Sequence, residues 1–357
     1  MVNKVLKEYQ RKKRKKIFLV IFLFLLTLLL FLVSLFVGSS KMSLEEALKA
    51  LMMASSDVNN RIMWKIRIPR ALAALIAGAG LSISGLIMQT TLNNEMASPA
   101  TLGVSNASVF GANLALIAFA GGYLGVGSNV NNYFNNANPL ETSLIAFLFA
   151  FISIMLILGL CKFRNFTPNA VVLAGVAIGA IWQAGTTLLQ YFATDVGLSA
   201  SVAWSFGDLA RATYQTDLIM GVVVFLSFLF FFLASWKYNA LLNGDGLSKS
   251  MGVRVDLLRF FSLLVASLIT AICVSFLGVI GFVGIICPQI MKRLIGSDHR
   301  YLLPASLASG SVLLLFADTI GRLIGNGSSL PVGAITALIG APFFLYIIFS
   351  KRENSRC

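Results

Sequence analysis

Nine apolar stretches, most of them close to the length of a bilayer crossing, leave this chain few folds to choose from. They run Ile17–Gly38, Ala71–Leu92, Leu102–Leu124, Ser143–Cys161, Ala170–Phe192, Leu218–Trp236, Phe260–Met291, Leu302–Leu323 and Val332–Phe349. A helix the length of the first rises about 33 Å, against a hydrocarbon core of about 30 Å. Phe260–Met291 is too long for one crossing, since it would extend about 48 Å. Gly278, Gly281 and Gly284 mark its expected break, which divides it into a full span and a short returning one. Ten crossings result. Composition agrees: 57% of residues are hydrophobic and 12% charged, where soluble domains hold about 25% charged residues. A soluble enzyme, a disordered chain and a disulfide-stapled secreted scaffold are excluded. Cys161, Cys273, Cys287 and Cys357 fall at no paired or metal-like spacing.

The net charge of +14 would suggest nucleic acid if the cations were spread evenly. They are not. Eight of the 28 basic residues lie within residues 1–16, directly ahead of the first span. An even number of crossings returns the tail, 351–357, to the same side. On that topology twenty cations lie inside and eight outside, the bias that fixes orientation in a membrane. The charge reads as a topology signal, with lipid rather than nucleic acid as the partner, and both termini are expected in the cytoplasm. The first apolar stretch exceeds the roughly 7–15 residues of a signal peptide, so it is expected to remain as a span. Residues 17–350 then form a single membrane domain.

Between the spans, Ser43-Leu44-Glu45-Glu46 is a capping-box pattern that opens a short surface helix. The Gly- and Asn-rich run from Gly121 to Pro139 reads as an exposed loop. Small residues four apart, Gly78 and Ser82, Gly175 and Gly179, Gly321 and Gly325, suit close helix contacts. Polar side chains at depth are few: Gln89, Gln183, Gln190 and Asp318. A carrier driven by protons or sodium generally needs buried ionisable groups or broken helices for its coupling ion, so the energy for transport is expected from another chain. Gly244 to Ser250 has the look of a phosphate-binding loop, but Ser248 stands where the motif needs Gly before its Lys. No catalytic triad or metal motif is present, and lone His299 reads as structural.

Arg67-Ile68-Pro69-Arg70 stands at the outer mouth of the second span, against the inside bias. Two arginines three apart share a helical face, where they could meet a partner's carboxylate or lipid headgroups. Arg322, at the outer end of the ninth span, is a third candidate for that surface.

These segments together resemble the FecCD-type permeases of ATP-binding-cassette importers, which carry ferric siderophores, haem or vitamin B12. The resemblance rests on Arg67-Ile68-Pro69-Arg70, Gly85-Leu86-Ile87-Met88-Gln89, Pro99 with Leu102-Gly103-Val104-Ser105, and Gly281 to Pro288. Asp298-His299-Arg300, Ala317-Asp318, Leu330-Pro331-Val332-Gly333 and Gly340-Ala341-Pro342 complete it, over roughly residues 60–350. Gln289 and Ser329 depart from the family's usual His and Glu.

The resemblance implies an all-α fold of about ten transmembrane helices, the type II importer permease fold, working as a two-subunit core. It implies a second permease subunit, two cassette ATPases that bind the ATP and Mg, and an extracytoplasmic substrate-binding protein. This chain itself is then neither an enzyme nor a cofactor carrier. By the same resemblance Arg67, Arg70 and Arg322 would dock the binding protein. Within the cytoplasmic loop 241–256, Leu247, Ser250, Met251, Gly252 and Val253 would seat in the ATPase, with Gly252 supplying a turn. Gln89, Gln183 and Gln190 are the candidates for the translocation path, helix–helix hydrogen bonding being the alternative. A ferric siderophore is the first-choice cargo, ahead of haem and cobalamin, and the cytoplasmic membrane of a bacterium is the expected location.

Overall fold

The computed structural model describes residues 2–38, 42–120, 138–163, 166–325 and 330–350. The expected Asn-rich loop, Arg164, Ser329 and the tail at 351–357 lie outside these residues. The elements among the described residues are helical: α1 Val2–Phe36, α2 Leu44–Leu51, α3 Asp57–Ile62, α4 Ile68–Thr91, α5 Val104–Asn113, α6 Pro139–Lys162 and α7 Pro168–Tyr191. There follow α8 Asp195–Ser205, α9 Tyr214–Leu233, α10 Ser235–Leu241, α11 Asp245–Ser250, α12 Val255–Leu277, α13 Val283–Ile295, α14 His299–Ile324 and α15 Val332–Ser350. A π turn, Met63–Arg67, joins α3 to α4, and another, Leu114–Phe119, extends α5.

Among the described residues, seven helices are long and apolar enough to cross a membrane, and Val104–Phe119 and Val332–Tyr346 are shorter apolar ones. The short returning span expected from the sequence corresponds to α13, 13 residues long and not among these apolar helices. The long stretch breaks where its glycines stand, between α12 and α13. Gly278 takes a left-handed φ of 79°, and Phe282 follows with φ 66°. Of the other two expected breakers, Gly281 lies in the break, while Gly284 is inside α13 and serves a different purpose. Its carbonyl lies where any side chain on Gly85 would have to go, so α4 and α13 cross with backbones almost touching.

Helix α4 is the axis of the molecule, packed on α14, α12, α13 and α9. Most of its residues are buried, because Ala, Gly and Ser let neighbours approach from every side. A Cβ on Gly78 would sit 2.4 Å from the Gly310 carbonyl oxygen, so α4 and α14 meet through those two glycines. Hydroxyls stitch the same seam: Ser82 donates to Ser306 O at 2.6 Å and Ser311 to Leu75 O at 2.8 Å. Gly175 and Gly179 of α7 admit Leu102 and Gly103, and Gly321 lies under Ile335. The outermost helices are greasy on their free faces, as α1 shows with Phe18, Leu25 and Leu29 more than half exposed. At one end of the bundle, called here the basic end, lie the start of α1, the end of α4 and the segment α10–α11. The opposite end holds the end of α1, the start of α4 and the end of α14.

Candidate functional site

Two clusters of polar side chains occupy the two ends. At the end opposite the basic one, α1 stops at Phe36, and its last carbonyls have no helical N–H to accept. Two guanidiniums supply the donors. Arg322 Nη1 donates to Ser34 O at 2.9 Å and Val37 O at 2.6 Å, and its Nη2 to Ser34 Oγ at 2.6 Å. Arg67 Nη1 donates to Leu35 O at 2.8 Å and Phe36 O at 3.2 Å. Arg70 instead holds Asp318, with its Nε at 2.8 Å from Oδ1. The other Asp318 oxygen lies 3.0 Å from Arg322. A cation at a helix C-terminus also meets the negative end of its dipole.

Sequence reasoning expected Arg67, Arg70 and Arg322 to face a partner. They do gather at one end, but the structure turns them inward, leaving them 3%, 6% and 6% exposed. The physical reason is the unsatisfied end of α1, 32 and 288 residues away in sequence, for Arg67 and Arg322, and the buried Asp318 for Arg70. Arg61 and Lys65, on the approach to α4, are the exposed cations there.

At the basic end, α10 and α11 form a short helical elbow between the spans α9 and α12. Gly252 closes it, with φ 82°. Val253 N donates to Ser248 O and Gly252 N to Lys249 O, both at 3.0 Å. That pairing is a Schellman cap, which needs a left-handed residue at Gly252. The expected turn is therefore present, though it joins one short helix to a long span rather than two short helices. Leu247 and Met251 stand 60% and 57% exposed, Ser250 and Gly252 are exposed too, and Val253 is buried beneath them.

Arg259 ties this elbow to the bundle and was not singled out by the sequence. Only 2% exposed, it donates to Thr91 O at 2.8 Å, to Phe166 O at 3.0 Å and to Asp245 at 3.1 Å. One guanidinium thus joins the end of α4, the turn before α7 and the first residue of α11. No motif marked it, because two of its partners are backbone carbonyls. Nearby, His299 Nδ1 faces Asn239 Oδ1 at 2.9 Å, and Asn239 Nδ2 donates to Asp298 at 2.8 Å. The lone histidine is held at the foot of α14 by hydrogen bonds.

The three glutamines separate. Gln89 is buried and donates to Gly284 O at 3.1 Å across the close α4–α13 crossing. Gln289 donates to the Gln89 side-chain oxygen at 2.9 Å, so the residue that departs from the family pattern completes an amide pair. Gln190 donates to Ser201 Oγ at 2.9 Å and Asn113 Oδ1 at 3.3 Å, and the Ser201 hydroxyl also meets Asn113. Gln183 alone is exposed, on the open face of α7 beside Ala180, Ala184 and Thr187. Asp217, in the first turn of α9, escaped notice in the sequence. It is 4% exposed, and neither carboxylate oxygen has a hydrogen-bond partner among the described residues.

A helical bundle with broken spans, buried ionic clamps and a short elbow between spans defines a polytopic transport permease. Comparison supplies the particular family. The profile of the FecCD transport family matches residues 26–350, and the chain belongs to it. A Methanocaldococcus jannaschii protein assigned as an ABC transporter permease is 44% identical, over 97% of this chain and 98% of its own. The hemin transport system permease protein HmuU of Yersinia pestis is 31% identical, over 92% and 95%. The vitamin B12 import system permease protein BtuC of Klebsiella pneumoniae is 32% identical, over 96% of both. A solved transporter described as of the metal-chelate type, in an inward-facing conformation, superposes with a TM-score of 0.78. It is 26% identical and covers 93% of this chain and 98% of that one. The chain is a multi-pass permease subunit of an ABC importer, and hydrolysis of ATP belongs to a separate subunit.

Proposed function

We propose that this chain is the conduit of an ATP-driven importer of metal chelates, with a ferric siderophore as first-choice cargo and haem or cobalamin behind it. The observation that carries the reading is the elbow at Leu247–Val253. It offers exposed apolar side chains to a partner while Arg259 of α12 fixes it to the end of α4 and the turn before α7. An apolar knob on a rigid mount is what a motor needs to push a bundle. Two cassette ATPases would bind ATP and Mg and seat Leu247 and Met251, with Ser250 and Gly252 completing the contact and buried Val253 supporting it from beneath.

The second permease subunit would lie against the open face of α7. Small residues there, together with Gln183, suit a neighbouring helix or a polar cargo better than lipid tails. Gln183 is then the path residue of the three, while Gln89 and Gln190 would act on the path through helix packing. A substrate-binding protein would dock over the end that holds Arg67, Arg70 and Arg322. Three buried cations against Asp318 leave a positive field there, with Arg61 and Lys65 exposed above it. Such a field steers an acidic partner more than it adds affinity. The chain would sit in the cytoplasmic membrane with both termini inside.

The test is uptake by vesicles holding this chain, its ATPases and its binding protein, supplied with labelled ferric siderophore, haem or cobalamin. ATP-dependent uptake of one chelate is expected, and loss of it with Leu247→Glu or Met251→Glu. Uptake without nucleotide would overturn the reading.

A further inference from the structure

Helix α1 carries a second interaction surface. Its basic portion lies ahead of residue 26, where the match to the family profile starts. Val2 to Lys16 continues the span as helix for about 22 Å. Lys7, Arg11, Arg14 and Lys15 line a groove on one face of it, with Phe18 and Leu19 as its floor. All four cations are exposed. The described acid on this portion, Glu8, is already paired with Lys12 at 2.9 Å. The opposite side faces protein, with Lys16 lying 5.7 Å from the centre of the Tyr301 ring.

The direction of the stripe identifies its occupant. Continued up the helix at the same three- and four-residue spacing, it becomes Phe18, Phe22, Leu25, Leu29 and Leu32. These are 72%, 49%, 61%, 57% and 43% exposed. An apolar face so open belongs against acyl chains. The cations sit directly below it on the same face, at the level of the headgroups that those chains carry. A soluble protein partner would match the cations but not the face they continue. We propose that this stripe is a binding site for an anionic glycerophospholipid, whose phosphate lies among Arg11, Arg14 and Lys15 and whose tails run along Phe18 and Phe22.

The test uses the full chain in phosphatidylcholine vesicles, with trace spin-labelled phosphatidylglycerol or spin-labelled phosphatidylcholine as probe. The fraction of each probe immobilised on the protein is read. Wild type is expected to prefer the anionic probe at least about five-fold, the factor that corresponds to the roughly 1 kcal/mol of a single basic residue near the surface. That preference should fall toward unity between roughly 0.01 M and 1 M salt, as the Debye length shrinks from about 30 Å to about 3 Å. The variant Lys7→Gln/Arg11→Gln/Arg14→Gln/Lys15→Gln should lose most of the preference, while Arg11→Lys/Arg14→Lys should keep it. Lys49→Gln/Arg61→Gln, at the other end of the bundle, should also keep it. No preference in the wild type, or one that survives high salt, overturns the site without need of any variant. An undiminished preference in the fourfold variant also overturns it.

Discussion

Asp318 is fully buried between two arginines, and its removal shows what such a residue holds. Asp318→Ala would leave Arg70 and Arg322 facing each other without an anion. Breaking a buried pair from one side costs roughly 3–5 kcal/mol, so a clear fall in melting temperature in detergent is expected. An unchanged melting temperature would mean that the pair contributes nothing net. Asp217 is the opposite case. Its carboxylate is buried without a described donor, and Asp217→Asn keeps the shape without the charge. That variant should be neutral or more stable by about 1 kcal/mol, and a marked loss of thermal stability would point to a partner that this geometry lacks. Both residues show where sequence reading stops. Asp318 and its arginines could be named from their pattern, but their direction depended on carbonyls of a helix far away in sequence. Asp217 sits in an ordinary helix start, and nothing in its neighbours signals burial.

Among the elements, the elbow of α10 and α11 is held at one end by Arg259 and closed at the other by Gly252. Gly252→Ala would force a Cβ into a left-handed position at about 1 kcal/mol, while nothing lies within 4 Å to clash with it. The bundle should therefore fold, and any loss should appear as weaker stimulation of the ATPase by the binding protein. Normal stimulation would remove Gly252 from the coupling path. Arg259→Leu is expected to cost roughly 2–3 kcal/mol, because it strips a charged donor from two buried carbonyls. Limited proteolysis should then cut near residue 245 faster than in the wild type. Helix ends were legible to within a few residues wherever an apolar run met Pro, Gly or a cap. The two π turns were not, since apolarity alone does not mark a change in the hydrogen-bonding register of a helix. The broken stretch was legible because length ruled out a single helix, and its glycines told where.

At the scale of the whole molecule, α4 serves as a hub whose contacts depend on small residues. Gly310→Val would drive a side chain into the Gly78 carbonyl. Overpacking of this kind costs about 1–3 kcal/mol or more, and the expected outcome is a chain that inserts in the membrane but migrates as a loosened species on size exclusion. Migration identical to the wild type would show that α4 and α14 can separate without penalty. The capped end of α1 has one more consequence, for the order in which the molecule is made. Helix α1 is made well before α14, on which it chiefly packs. Until Arg322 arrives, the carbonyls of Ser34 and Val37 lack the donors that later satisfy them. Helix α1 must therefore wait in the bilayer for α14, whose arrival latches its end into place.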